Sequence, residues 1–167
     1  MPGRLTIHSS GTGELLSGHS WIEYTSDAGE THTYGTWGND PEGRGNGLHE
    51  DLELGRTSDA SRTVTLSAEQ ERAMQAKIKE YRDKGEGGWG YLSPCSTFAA
   101  DVWQTSTGEK LAHRSGIISN PSKLKKSIEQ ANKASASAPD AKPQPGRPSS
   151  SRDSFGRPVS RCSAGGP

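Results

Sequence analysis

Residues 18–37 read GHSWIEYTSDAGETHTYGTW, and their pattern predicts the β-hairpin around which the other elements are placed. Aromatic and β-branched residues are dense in His19–Tyr24 and again in Thr31–Trp37, which predicts two β-strands. The segment between them, Ser26–Gly29, has the composition of a turn, so the two strands form a hairpin. An ordinary register across this turn aligns one side of the sheet in three pairs: Glu23 with His32, Trp21 with Tyr34, and His19 with Thr36.

Further elements flank the hairpin on both sides. Arg4–His8 alternates and is predicted as an edge strand, and Arg62–Leu66 is another short strand. Ser67 and Gln70 form a capping box at the start of a helix that repeats apolar residues at helical spacing, namely Met74, Ile78 and Tyr81. A second helix begins at Ser93-Pro94-Cys95, with Ser93 as N-cap and Pro94 at the first helical position, and it stops near Thr107-Gly108. A third helix begins at Asn120-Pro121, with Leu124 and Ile128 facing the core. The expected class is α+β, a small antiparallel sheet packed against helices.

The C-terminal part of the chain differs in composition from the rest. From Ala134 onward it is rich in Pro, Ser and Gly and nearly free of large apolar residues. Such a segment buries too little surface to offset its ordering entropy. We therefore predict one domain over residues 1–133 and a disordered tail over 134–167. We expect no transmembrane segment, because no stretch approaches the ~20 apolar residues of a membrane span.

Cys95 is the residue whose position most suggests chemistry. It lies in the first turn of a predicted helix, where unpaired backbone N–H groups and the helix dipole favour a thiolate. The same N–H groups can bind an oxyanion. A disulfide with Cys162, the other cysteine, would tie a disordered end to a helix start and is not expected. A buried structural cysteine is the alternative interpretation.

A general base is also required, and histidine is the usual one. His19 follows Gly18 and opens a strand that would hold its ring rigidly. His32 lies on the return strand. The predicted register brings Thr36 opposite His19.

Three motifs together resemble a known family. They are Gly18-His19-Ser20-Trp21-Ile22, Tyr34-Gly35-Thr36-Trp37 and Pro94-Cys95-Ser96-Thr97-Phe98-Ala99. They resemble the circularly permuted papain-like hydrolases of the NlpC type, which include lecithin:retinol acyltransferase-like proteins and in which the histidine strand precedes the cysteine helix. The resemblance implies a permuted papain-like fold with Cys95 as nucleophile and His19 as base. The third catalytic member stays open between Thr36, Tyr34, His32 and a backbone carbonyl.

The resemblance extends to bacterial polymorphic-toxin and type VI secretion effector domains. It implies a cysteine amidase or peptidase that cleaves peptidoglycan peptides as an antibacterial effector. Its partners would be a peptide or acyl substrate and a cognate immunity protein or secretion-system component. Residues 1–20 lack the apolar run of a secretory signal, so we expect synthesis in the cytoplasm. The resemblance to effector domains implies contact-dependent delivery to a target-cell periplasm.

Other functions remain as alternatives. The same dyad could act on acyl esters or phospholipids, in which case an exposed apolar surface is expected near the cleft. The fold could also serve as a non-catalytic binding module. A metal hydrolase using His19, His32, His49 and Glu50 is disfavoured because no HExxH or CxxC spacing occurs. We expect no cofactor, and zero net charge without a basic cluster disfavours nucleic acid as a partner.

Overall fold

The computed structural model describes residues 2–11, 18–38, 43, 45–90 and 94–137. In chain order, its strands and helices are β1 (Arg4–Ser10), β2 (His19–Thr25), β3 (Thr31–Trp37), β4 (Gly47–Glu50), β5 (Ala60–Thr65), α1 (Ala68–Asp83), α2 (Cys95–Thr107), β6 (Arg114–Ser115), β7 (Ile118–Ser119) and α3 (Pro121–Ser137). The class is α+β, as predicted. None of the helices in these ranges has the length and apolar character that crossing a bilayer requires.

Five strands form one antiparallel sheet in the order β4-β3-β2-β1-β5. The prediction that the first strand lies at an edge is wrong, because β5 pairs with its free side through Leu5 and Val64. Leu5 and Ile7 alternate with less buried neighbours and are completely buried. This alternation matches an inner strand that has one face in the core.

The helices cover one face of the sheet and close the core. Its largest buried side chains include Ile22 from the sheet, Met74 and Ile78 from α1, Phe98 and Trp103 from α2, and Leu124 and Ile128 from α3. The helix α2 packs against β2, β3 and β1. Truncating one such side chain to alanine typically costs about 2–5 kcal/mol. The core therefore fixes the start of α2 against the centre of the sheet.

The predicted helix signals are confirmed with one correction. Ser67 and Gln70 form the capping box of α1, and Gly108 ends α2 with φ +75°. However, Pro94 is the N-cap of α2 rather than its first helical residue, because its backbone is extended (ψ −174°) and its carbonyl accepts the first helical hydrogen bonds. Ser93, the predicted cap, lies outside the described residues.

The last helix extends beyond the predicted start of the tail at residue 134. α3 continues to Ser137, four residues beyond the predicted boundary, because alanine and serine continue a helix whose inner face is already packed. Its side chains there still make contacts, since Arg62 Nη2 donates to Ser135 Oγ over 3.1 Å. Residues 138–167, including Cys162, lie outside the described residues.

The hairpin register differs from the prediction by one residue. The loop has five residues, since Ser26 N–H donates to Glu30 O (2.8 Å) and Gly29 adopts φ +87°. The extra residue is Glu30, so His32 lies opposite Tyr24, and Tyr34 lies opposite Ile22. Because strand side chains alternate, this shift moves β3 residues to the opposite face from the predicted one.

Candidate active site

Cys95 is the first residue of α2 and is 6 % exposed. It carries a free thiol. The first N–H groups of the helix to bond the Pro94 carbonyl are those of Thr97 (3.0 Å) and Phe98 (3.4 Å). The N–H groups of Cys95 and Ser96 precede them and belong to the unpaired donors of a helix N-terminus. The thiol thus lies beside donors that favour negative charge.

His19 opens β2 and is 5 % exposed. Its Nε2–H donates to Glu53 Oε1 over 2.7 Å. The Cys95 thiol lies near enough to the ring to influence its proton affinity. Since a carboxylate only accepts, Nε2 carries a proton, and Nδ1 is the ring nitrogen left to face the thiol.

Glu53 follows β4 and is almost completely buried at 1 % exposure. Three donors surround its carboxylate. Trp37 Nε1–H donates to Oε1 over 2.7 Å, as His19 does, and Thr33 Oγ1–H donates to Oε2 over 3.1 Å. The Glu53 N–H in turn donates to Thr33 Oγ1 over 3.2 Å. A buried charge requires such a set of partners, and here they also fix the direction of the carboxylate toward the imidazole.

The surroundings of His19 shift its proton affinity in two opposing ways. Burial lowers the pKa of His19, whereas the neighbouring Cys95 sulfur and Glu53 carboxylate raise it. The net result is a His19 pKa above its ordinary value. The two neighbours thus make the ring a better proton acceptor than burial alone would leave it.

Trp37 and Gly35 enclose the imidazole–carboxylate pair. The Trp37 ring lies 4.0 Å from the His19 ring between centroids, tilted by 36°. Gly35 leaves the necessary space, because a Cβ there would overlap Glu53 Oε1 and lie 3.1 Å from His19 Nε2. Thr33, Gly35 and Trp37 alternate on β3 and so share the face on which Glu53 meets His19.

The predicted third members do not lie at this site. Thr36 points to the other face of β3, the face of Tyr34, and its buried hydroxyl has no hydrogen-bond partner among the described residues. His32 lies opposite Tyr24 with 41 % of its side chain exposed, and its Nδ1 is 3.2 Å from Asp51 Oδ2. The one-residue register shift explains both errors.

Of the residues considered for a metal centre, His32 and Glu50 lie together, whereas His19 and His49 have other partners. His19 is bonded to Glu53, while His49 Nε2–H donates to the Gly45 carbonyl over 2.6 Å. Within the described residues, the group with suitable ligand spacing is instead His32, Glu50 and Asp51, at the surface. Glu50 is paired there with Arg82, and Asp51 accepts the Thr33 N–H.

Glu53 is the functional candidate that sequence reasoning missed. In the sequence it is one member of an acidic cluster with Glu50 and Asp51. The available signal was local: Leu52 and Leu54 flank it, which is unusual for a solvated acid. Its contacts lie 20 and 34 residues away in sequence, at Thr33 and His19.

Comparison with protein-family models, with curated proteins and with solved structures gave no match to this chain. The site is therefore interpreted from its own geometry.

Proposed function

We propose that the protein is a cysteine hydrolase of the amidase or peptidase class, with Cys95, His19 and Glu53 as a catalytic triad. One observation carries this proposal: a buried imidazole is hydrogen-bonded to a buried carboxylate and neighbours a buried cysteine thiol at a helix start. Nucleophile, base and orienting acid are the three roles that thiol-dependent acyl transfer needs. The position of the thiol at the start of a helix supports the first role.

The arrangement suggests a two-step reaction. His19 Nδ1 takes the thiol proton, the Cys95 sulfur attacks the substrate carbonyl carbon, and the carbonyl π electrons move to the oxygen. The N–H groups of Cys95 and Ser96 stabilise that oxyanion. Its collapse expels the amine, which receives the proton from Nδ1. His19 then deprotonates a water molecule that cleaves the thioester, releasing the carboxylic acid and restoring the thiol, while Glu53 remains an acceptor of Nε2–H.

The topology supports a permuted papain-like arrangement as part of the proposal. The base opens strand β2 and precedes the nucleophile helix α2 in sequence. The third polar group comes from the segment after β4, which neighbours β3 in the sheet. Its role would be that of the orienting group in this family, supplied here by a glutamate.

A peptide substrate is favoured over an acyl chain by the surface. Among the described residues, the exposed large apolar side chains are Leu54 and Ile117, which lie in separate parts of the chain. A lipid-binding cleft would expose a contiguous apolar patch. With the sequence resemblance, this favours peptidoglycan peptides, an effector role after contact-dependent delivery, and a neutralising immunity protein.

The first test measures the reactivity of Cys95. On a Cys162→Ser background, we expect iodoacetamide at pH 7 to alkylate Cys95 at least about tenfold faster than N-acetylcysteine, because a thiolate–imidazolium pair is more reactive than a free thiol. His32→Gln, outside the triad, should keep this rate, and His19→Gln should lose it. A wild-type rate equal to that of the free thiol would contradict the enzyme proposal.

The second test identifies the bond that is cleaved. Purified peptidoglycan and, separately, phospholipid vesicles are incubated with the wild type and with Cys95→Ala, and the products are identified by mass spectrometry. New muropeptides that depend on Cys95 support the amidase. Cys95-dependent release of fatty acid with unchanged muropeptides would replace it by the acyl-ester hydrolase.

A further inference from the structure

We propose that Arg56 is a specificity residue that binds a carboxylate of the substrate beside the triad. The inference rests on the proposed function, because it names the chemistry of the substrate for the same site. The substrate class is an acyl or peptide compound that carries a free carboxylate near the scissile bond.

The chain connects Arg56 to the triad by one turn. The Arg56 N–H donates to the Glu53 carbonyl over 2.9 Å, and Gly55 between them adopts φ +74°. A glycine with positive φ at this position is what a type II β-turn requires. The triad carboxylate and the Arg56 side chain therefore start from the two ends of the same turn, which fixes their separation.

The rings of Trp21 and Trp37 contact both the Arg56 guanidinium and the His19 imidazole. The Arg56 guanidinium carbon lies 5.6 Å from the centroid of the Trp21 ring and 5.7 Å from that of the Trp37 ring. These same rings lie 5.7 Å and 4.0 Å from the His19 ring. Cation–π contact with these two rings holds the guanidinium in place without using its N–H donors.

The donors of Arg56 have no partner within the part of the chain that the structure describes. Among the described residues, no carboxylate and no hydrogen-bond acceptor pairs with its guanidinium, although the residue is exposed. By contrast, Arg62 binds Glu109 and Arg82 binds Glu50. Two acids lie three residues from Arg56 along the chain, and both are engaged elsewhere. Glu53 is buried and accepts from His19, Trp37 and Thr33, while Asp59 accepts from the Gly11 N–H and from Lys125.

A fixed guanidinium with free donors is suited to bidentate binding of a carboxylate. A neutral substrate would leave this cation without an electrostatic partner. Because Arg56 and His19 contact the same two tryptophan rings, a carboxylate bound to Arg56 would be held close to the reacting carbonyl. Arg56 would therefore discriminate between substrates rather than take part in proton transfer.

The test compares two alkylating reagents that differ in charge. Iodoacetate and iodoacetamide present the same carbon and the same leaving group to Cys95, and only iodoacetate carries a carboxylate. We expect Arg56→Gln to lower the iodoacetate rate by about threefold to tenfold, the range for one nearby charge in a partly solvated site, and to leave the iodoacetamide rate within about twofold. The iodoacetate rate of Arg56→Lys should lie between those of the wild type and Arg56→Gln.

Arg72→Gln is the matched control, because it removes the same charge from an exposed position on α1. If Arg56→Gln and Arg72→Gln give the same ratio of the two rates, the Arg56 proposal is wrong. The ratio can be measured at any absolute rate. Failure of the proposed function would instead appear in the wild-type iodoacetamide rate, so the two failures are distinguishable.

Discussion

At the scale of single residues, the site depends on a negative charge held inside the protein. The Glu53 carboxylate accepts three hydrogen bonds, from His19, Trp37 and Thr33, and these replace the water that it lost on burial. Breaking a buried ion pair typically costs about 3–5 kcal/mol, because the remaining charge is left without a partner. The His19 ring and the Glu53 carboxylate therefore stabilise each other as well as the fold.

Replacing Glu53 by glutamine tests this coupling. Glutamine keeps the shape and one carbonyl acceptor but removes the charge that raises the pKa of His19. We expect the iodoacetamide rate at pH 7 to fall by about 10²-fold and to recover only at higher pH, because burial then opposes imidazolium formation and the thiol must ionise without that partner. Glu50→Gln, at an exposed acid three residues earlier, is the control. A Glu53→Gln profile that superimposes on the wild type would exclude Glu53 from the triad.

His8 supplies a second prediction at this scale. Burial lowers the pKa of His8 from 6.5 to about 4, and its ring stacks on Trp21 with Nδ1 bonded to Ser58 and Glu23 3.8 Å from Nε2. Between pH 6.5 and 4, His8 binds a proton in the unfolded chain but stays neutral in the folded protein. The free energy of unfolding should therefore fall on acidification across this window, by up to on the order of 3 kcal/mol.

The His8→Phe variant keeps the stacked ring and removes the proton site. Urea unfolding of the wild type and of His8→Phe gives their difference in unfolding free energy at pH 7.5 and at pH 4.5. The titration of carboxylates that both proteins share cancels in this difference. We expect the variant to lose clearly less stability on acidification than the wild type. Equal losses in the two proteins would show that His8 accepts its proton in the folded state.

At the scale of elements, the hairpin shows what the sequence could and could not predict. Strands β2 and β3 were predictable because aromatic and β-branched residues cluster there, and α1 was predictable because Ser67 and Gln70 cap it. The register was not, because one loop residue, Glu30, changes which side chains share a face. The acid of the site was also missed, since its partners are brought to it by sheet pairing rather than by local sequence.

Gly35 tests how tightly β3 is fitted to the site. In Gly35→Ala, the new Cβ overlaps the buried Glu53 carboxylate, so the carboxylate must move away from His19. We expect a loss of about 1–3 kcal/mol in unfolding free energy, as for overpacking, together with a loss of Cys95 reactivity. Gly87→Ala, where a Cβ meets nothing within 4 Å, should change neither. Full reactivity in Gly35→Ala would mean that the imidazole–carboxylate bond is dispensable.

At the scale of the whole molecule, the sheet order brings distant segments together. His19 on β2, Glu53 after β4 and Cys95 at the start of α2 meet because β2 and β3 are adjacent inside the sheet and α2 packs against both. All three residues, and the core that positions them, lie between residues 2 and 137. The helix α3 contributes completely buried side chains, Leu124 and Ile128, to that core.

This organisation predicts the result of truncating the chain. A protein ending at Ser137 should retain the thermal stability and the Cys95 alkylation rate of the full chain, because it keeps every core and triad residue, including the bonds from Arg62 to Asn132 and Ser135. A protein ending at Asn120 loses Leu124 and Ile128 and should not fold, since each buried aliphatic side chain is worth about 2–5 kcal/mol against a total of about 5–15. Thermal unfolding and iodoacetamide labelling of the three chains check both expectations. A chain ending at Ser137 that unfolds or loses reactivity would assign part of the stability of the site to residues 138–167.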